Sequence, residues 1–321
     1  MIALKMSSSS RLYRVATRKS KMALTQTRQV IDALQAASPA AGFEPYPLTS
    51  DGCYERFQGD LSKIGGKGAF VKRLEIALQD NEADMAMHSL KDVPTDQDLP
   101  DGLTIPFVLP REDVRDAVVC RVGETLPGLK PGQKVGTSSV RRAAQLQRTM
   151  PHLHVVPLRG NADTRVSKVD SGEVDAAILA KSGLERIGLG HRITDVFEPD
   201  MMLPSVGQGA VCVECRADDT DLMDLLTQEN HLASFQAVMA ERAMLQALGG
   251  SCHTPLAGYA SWIDDTQLHL TGMVLSLDGA TMLRAEATGL ATDYAGLGQT
   301  VAEALLSQGA RAVLDACEDE A

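Results

Sequence analysis

The residues best suited to chemistry in this chain gather at the ends of short apolar strands. Gly136-Thr-Ser-Ser-Val-Arg141-Arg142 puts two adjacent guanidiniums just past one such strand, with Thr137 and Ser139 beside them. Leu158-Arg159-Gly-Asn161-Ala-Asp-Thr-Arg165 repeats the arrangement at the next strand-to-loop junction. Guanidinium forks pair two-pronged with carboxylate or phosphate. The chain has a formal net charge of −11, so basic charge confined to small polar loops points to a small polyanion as ligand. Any one of these arginines alone reads equally well as a surface salt bridge at a helix start. Two such loops after successive strands favour the ligand.

Other junctions add candidates. Asp92 follows Lys91 in the polar loop His88-Ser89-Leu90-Lys91-Asp92-Val93-Pro94, at the end of the strand-like run Ala83–Met87. A carboxylate there can stabilise a developing cation or move a proton; its structural alternative is a turn cap. Cys252 sits in the Gly-rich corner Gly249-Gly250-Ser251-Cys252, where a thiolate could serve as nucleophile or covalent tether. Its alternative is a small buried apolar side chain. Arg18 and Ser20 lie between a strand, Leu12–Ala16, and a helical stripe of Ala23, Leu24, Thr27, Val30, Ile31 and Leu34. Ser20 is the expected N-cap, and such junctions bind anions through free N–H groups and the helix dipole. Gly65-Gly-Lys67-Gly68 precedes a further stripe from Phe70 to Leu78. It lacks the full phosphate-loop pattern and reads equally as a Gly-rich lid.

The elements that position these residues alternate. Strands are expected near 117–120, 134–136, 153–156 and 176–180, with helices near 140–149, 163–169 and 181–187. Alternation of this kind predicts an α/β fold of parallel sheets with helices on both faces and ligands at strand C-termini. A helix from after Asn230 to Leu248, two or three strands within 256–288 and a helix over roughly 297–316 read as a small α+β tail. The 321 residues allow two or three domains. The acidic balance argues against nucleic acid as main partner. No run approaches the ~18 apolar residues of a membrane span, and the N-terminus lacks a signal-peptide core, so a cytoplasmic protein is expected. Six cysteines without framework spacing make structural disulfides unexpected. Cys212 and Cys215 fall three apart in a strand-like run, on opposite faces, which disfavours a shared metal. His152 and His154 read as surface residues.

Together the motifs become specific. TRKSKMALTQT, GGKGAFVKRLE, HSLKDVPT, REDVRDAVV, GTSSVRR, RGNADTR, LPSVGQGA with ECR, and a late G-S-C-x-T-P occur in order from about Arg14 to Pro255. In that set the chain resembles the porphobilinogen deaminase (hydroxymethylbilane synthase) family. The resemblance implies an enzyme that joins four porphobilinogen units head to tail, with loss of ammonia, on a dipyrromethane cofactor held by a thioether to Cys252. It implies Asp92 as catalytic carboxylate, and Ser89, Lys91, Thr137, Ser139, Arg141, Arg142 and Arg165 around cofactor carboxylates. Arg18, Ser20, Arg159 and Arg186 would hold substrate, Gln208 and Gly209 would line the cleft, and Lys67 would belong to a loop over it.

The fold so implied has two periplasmic-binding-protein-like doubly wound domains, residues 11–110 with 208–229 and residues 111–207. A small α+β C-terminal domain, residues 230–321, carries the cysteine. A monomer acting on a small-molecule substrate, with no metal, nucleic acid or membrane, is expected. Departures from the family pattern fall at Ser251, Cys53, Val114 and Lys181-Ser182. The competing reading is a non-catalytic two-lobed anion receptor, which shares the fold but gives no role to Asp92 with Cys252.

Overall fold

The structure, a computed structural model, describes residues 11–49, 67–95, 99–249 and 254–319, with the backbone alone for 67–69. In chain order it runs β1 (Leu12–Arg18), α1 (Lys21–Ala37), β2 (Gly42–Leu48), α2 (Lys67–Gln79), β3 (Met85–Ser89), β4 (Leu103–Val108) and β5 (Asp116–Cys120). There follow β6 (Lys134–Gly136), α3 (Val140–Thr149), β7 (His154–Val156), α4 (Ala162–Asp170), β8 (Ala176–Ala180), α5 (Lys181–Arg186) and β9 (Asp195–Phe197). Then come β10 (Val211–Arg216), α6 (Thr220–Gln228), α7 (Leu232–Leu248), β11 (Leu256–Trp262), β12 (Gln267–Leu275), β13 (Met282–Leu290), α8 (Tyr294–Ser307) and α9 (Ala310–Asp319).

The described residues group into two compact units. One holds those up to Val93 with Leu99–Leu109 and Val211–His231; the other holds Pro110–Ala210 and those from Leu232 onward. The first unit contains a sheet of order β2-β1-β3-β10-β4. The second contains a sheet of order β7-β6-β8-β5-β9 and the antiparallel sheet β11-β12-β13. Numbered within its own unit, each five-stranded sheet reads 2-1-3-n-4, where n is the first strand after the chain arrives from the other unit. This repeated order is the periplasmic-binding-protein-like arrangement.

The expected all-parallel sheets are in fact mixed. β1 runs parallel to β2 and β3, but β10 is antiparallel to β3 and β4. Likewise β6 is parallel to β7 and β8, while β5 is antiparallel to β8 and β9. Parallel neighbours need a crossover element between them. β5 and β10 arrive from the other unit without one, and each enters against the direction of its neighbours.

Ser20 caps α1 as its sequence predicts, its Oγ accepting from Ala23 N at 3.2 Å. The buried stripe of α1 is Ala23, Gln26, Thr27, Val30, Ile31 and Leu34. Leu24, expected within it, is exposed. The stripe packs on Tyr13, Val15, Met85, Met87, Phe107 and Val213. Full burial of side chains such as Leu34 and Phe107 stabilises by about 1.5–3 kcal/mol each. In the second unit α7 and α8 cover the antiparallel sheet through Met244, Leu248, Leu270, Val274, Val301 and Leu305. The single tail helix read from the sequence is broken into α8 and α9 at Gly309, whose φ of 98° a helix cannot accommodate.

Candidate active site

In the first unit, β1 and β3 are adjacent and parallel, so their C-terminal ends lie at one edge of the sheet. Arg18 closes β1 and Ser20 opens α1 at that edge; β3 leads through Ser89 into a single 3-10 turn, Leu90–Asp92. Leu90 is buried and anchors the turn, leaving Lys91 and Asp92 half-buried. Ser89 Oγ accepts from Gln26 Nε2 at 2.7 Å and lies 3.1 Å from Gln26 Oε1, which ties the turn to α1. The Arg18 guanidinium stands 4.2 Å from the Phe70 ring centroid on α2, a cation–π contact that fixes its plane. Below the turn, His88 Nε2 meets Glu214 Oε2 of β10 at 2.8 Å, with both side chains buried. Asp92, Lys91, Ser89, Arg18 and Ser20 are therefore brought to one sheet edge. Gln26, which the sequence reading passed over, joins them.

In the second unit the C-terminal ends of β6, β7 and β8 share an edge in the same way. They deliver Thr137 to Arg142, then Arg159 and Arg165, then Lys181 to Arg186. Ser139 caps α3, its Oγ accepting from Arg142 N at 3.4 Å. Thr137 Oγ1 accepts from Ser139 N at 3.2 Å. Arg159 is exposed, and Arg165 Nε donates to Gly160 O at 2.8 Å. Burial, with the charge of Arg142, pushes the Arg165 guanidinium below its ordinary pKa.

Arg141 and Arg142 are not the open forks expected from sequence. Both are buried on Asp116, the first residue of β5. Asp116 Oδ2 accepts from Arg141 Nη2 at 2.7 Å, and Oδ1 accepts from Arg142 Nη2 and Nε at 2.7 and 3.0 Å. Arg141 Nη1 and Arg142 Nη1 donate to the carbonyls of Leu203 and Ile178. Burial works against the Asp116 carboxylate, but the two guanidiniums outweigh it and hold the group well below the usual range. Gln208 is fully buried, its Nε2 donating to Val114 O at 2.6 Å and Asp116 Oδ1 at 2.9 Å. Its side-chain amide is thus spent inside the unit, where the sequence reading had it lining a cleft. Gly209, at φ 83°, lies where an added Cβ would stand 2.5 Å from Glu112 O. Arg186 Nε donates to Glu112 at 3.0 Å and Nη2 to Gly209 O at 3.2 Å.

Three guanidiniums against one carboxylate leave the Arg141, Arg142, Arg165 and Asp116 group with excess positive charge in a poorly solvated place. A ligand bearing several carboxylates, such as a dipyrromethane, fits that donor set. Cys252, Ser251, Cys53 and the Lys67 side chain lie outside the described residues. Thr254, directly after that segment, is buried, and β11 begins at Leu256. Cys212 and Cys215 are both buried on β10, and burial pushes the Cys215 thiol up to about 12.

The family model for the porphobilinogen deaminase dipyromethane cofactor binding domain matches residues 13–224, and the model for the C-terminal domain of the same enzyme matches residues 235–307. The chain belongs to the porphobilinogen deaminase family. Relatives of that name include those of Laribacter hongkongensis, 47% identical with 94% of this chain and 97% of the relative covered, and Brevibacillus brevis, 46% identical with 94% and 96% covered. That of Stenotrophomonas maltophilia is 46% identical with 94% and 98% covered. Among solved structures, a TRAP periplasmic solute binding protein from Desulfovibrio salexigens aligns at a TM-score of 0.44 and 10% identity, over 70% of this chain and 74% of that one. That likeness adds nothing to the strand order already described. Membership makes the chain an enzyme of tetrapyrrole assembly with a dipyrromethane cofactor.

Proposed function

We propose that this chain deaminates porphobilinogen and joins four units head to tail into the linear tetrapyrrole hydroxymethylbilane, from a dipyrromethane primer attached through a thioether to Cys252. The observation that carries the reading is the match of both family domains to residues 13–224 and 235–307. The placement of Asp92 at one sheet edge with Arg18 and Ser20 supports it chemically.

Bound, the primer would supply the free pyrrole α-carbon from which the chain starts to grow. The residues of the chain do the rest. Arg18, Ser20, Arg159 and Arg186 take substrate carboxylates. Thr137, Ser139, Arg141, Arg142 and Arg165, with Ser89 and Lys91, take those of the primer. Asp92 stabilises the cationic charge that develops on a pyrrole nitrogen and holds the proton that must be moved. Gln208 acts through Asp116. Lys67, where α2 begins, contributes to holding the substrate.

The reading keeps three domains, residues 11–110 with 208–229, 111–207 and 230–321, supported by the three separate sheets. It takes the protein as a cytoplasmic monomer that acts on a small molecule without nucleic acid or membrane; the −11 charge supports the exclusion of nucleic acid. Among the described residues no helix is long and apolar enough to cross a membrane. A non-catalytic anion receptor is not favoured, because it has no use for the family's cofactor domain. An acidic pyrrole-aldehyde reagent separates the two: the purified protein should colour with it, and a receptor would not.

A further inference from the structure

Helix α5 is fastened at both ends to two consecutive residues of the segment by which the chain enters the second unit. At its C-terminal end, Arg186 Nε reaches Glu112 Oε2 and Oε1 at 2.9 and 3.0 Å, while Nη2 donates to Gly209 O. At its N-terminal end, Lys181 Nζ pairs with Asp113 Oδ2 at 2.9 Å. Asp113 is itself held rigid, its oxygens accepting from Arg115 N, Nε and Nη2 at 2.9, 3.0 and 2.7 Å. Glu112 N donates to Gly209 O at 3.1 Å, which pins the same segment to the returning chain.

The two ends of this clip differ in what they leave over. Arg186 is nearly buried, with 7% of its side chain exposed, and its Nε edge is committed to Glu112. Among the described residues its Nη1 donates to no partner. A guanidinium held along one edge presents its other end in a fixed plane, the geometry that carboxylate recognition needs. Lys181 has no comparable spare geometry: its ammonium is spent between Asp113 and Glu185, at 2.9 and 2.8 Å. A six-residue helix cannot hold its own direction by backbone bonds alone. Fixing its first residue therefore helps to fix where Arg186 stands.

We propose that Lys181, through its ion pair with Asp113, is a positioning residue that sets the Arg186 guanidinium for a carboxylate of the porphobilinogen unit. This rests on the substrate role proposed for Arg186. Lys181 itself does not touch substrate.

The test is steady-state kinetics with porphobilinogen on holoenzyme of confirmed cofactor mass, comparing the parent with Lys181→Met, Asp113→Asn, the double variant and Arg186→Leu. Lys181→Met should raise KM by about two- to fivefold, the range a partly exposed ion pair supports, with kcat within about twofold of the parent. Asp113→Asn should raise KM as well, and Lys181→Met should add little in that background, because the coupled partner is already gone. Raising the salt should raise KM in both proteins through the charge of the substrate, but more in the parent, so that the ratio of the two KM values narrows. A parent-like KM in Lys181→Met, with KM raised in Arg186→Leu, overturns the clip and leaves the role of Arg186 standing. A parent-like KM in Arg186→Leu overturns the substrate role of Arg186 and the clip with it. A fall in kcat without change in KM in Lys181→Met overturns the positioning role.

Discussion

Asp116 and Arg142 are locked together in the interior of the second unit: Nε and Nη2 of Arg142 reach Asp116 Oδ1 at 3.0 and 2.7 Å, with the two side chains 8% and 0% exposed. The same carboxylate holds Arg141 and Gln208. One acid thus organises several of the residues assigned to ligand binding, and its removal strands two buried cations.

Breaking a buried pair by deleting one partner typically costs about 3–5 kcal/mol. Asp116→Ala should therefore destabilise by about that much in denaturant unfolding at neutral pH. Asp116→Leu combined with Arg142→Met should cost less than the sum of its parts. The pH dependence has a definite sign. The folded carboxyl titrates below its unfolded value of about 3.9, so its contribution is fully present above that pH and is lost as pH falls toward the folded value. Stability measured from pH 6 down to pH 3 should fall less steeply in Asp116→Asn than in the parent. Equal slopes would show that the pair does not carry this share of acid sensitivity.

The arginines should separate by role. Arg141→Leu removes a partner of Asp116 and a donor proposed for the primer, and should accumulate as protein without cofactor. Arg18→Leu leaves the second unit intact; it should load the cofactor and stall during elongation. A charged hydrogen bond lost to a substrate carboxylate costs about 1.5–3 kcal/mol, so kcat/KM of Arg18→Leu should drop by about tenfold or more. Intact masses and turnover of the two variants check the division, and normal loading of Arg141→Leu would refute it.

Much of this site was legible because strand-to-helix junctions have strong local signals. Ser20 announced its cap, and the bounds of β6, α3 and β8 follow directly from their apolar runs and turns. The edge strands β2 and β4 were not foreseen. Pro45, Pro47 and Pro106 argue against a strand, yet an edge tolerates a residue that cannot donate to a ladder. The antiparallel direction of β5 and β10 depends on the path between units, to which local pattern is blind. Asp116 and Gln26 were also passed over, although each left a trace. A carboxylate heading the apolar run Ala117–Cys120 needs a partner, and a glutamine in the buried phase of the α1 stripe needs a bond. What spacing could not reveal is that the arginine pair is bonded to an internal acid.

Asp92 is the residue to which the proposed function assigns the chemistry. A positioned acid–base group contributes roughly 10²–10⁴-fold. Asp92→Asn keeps the size of the side chain and one acceptor but loses the charge, so it should fold normally and release ammonia at least about a hundredfold more slowly in a single turnover. Asp92→Glu should keep part of the activity. Loss of Lys91 should cost less than loss of the carboxylate. Ammonia release by Asp92→Asn at the parent rate would reduce Asp92 to a structural cap.

The central claim is that chain growth starts from a primer on the protein itself, and the intact mass of the protein as purified tests it most directly. The mass should exceed that of the polypeptide by two linked pyrrole units, the excess should map to the peptide containing Cys252, and Cys252→Ala should abolish both the excess and the activity. An active protein of unmodified mass, or an excess carried on another peptide, would contradict it.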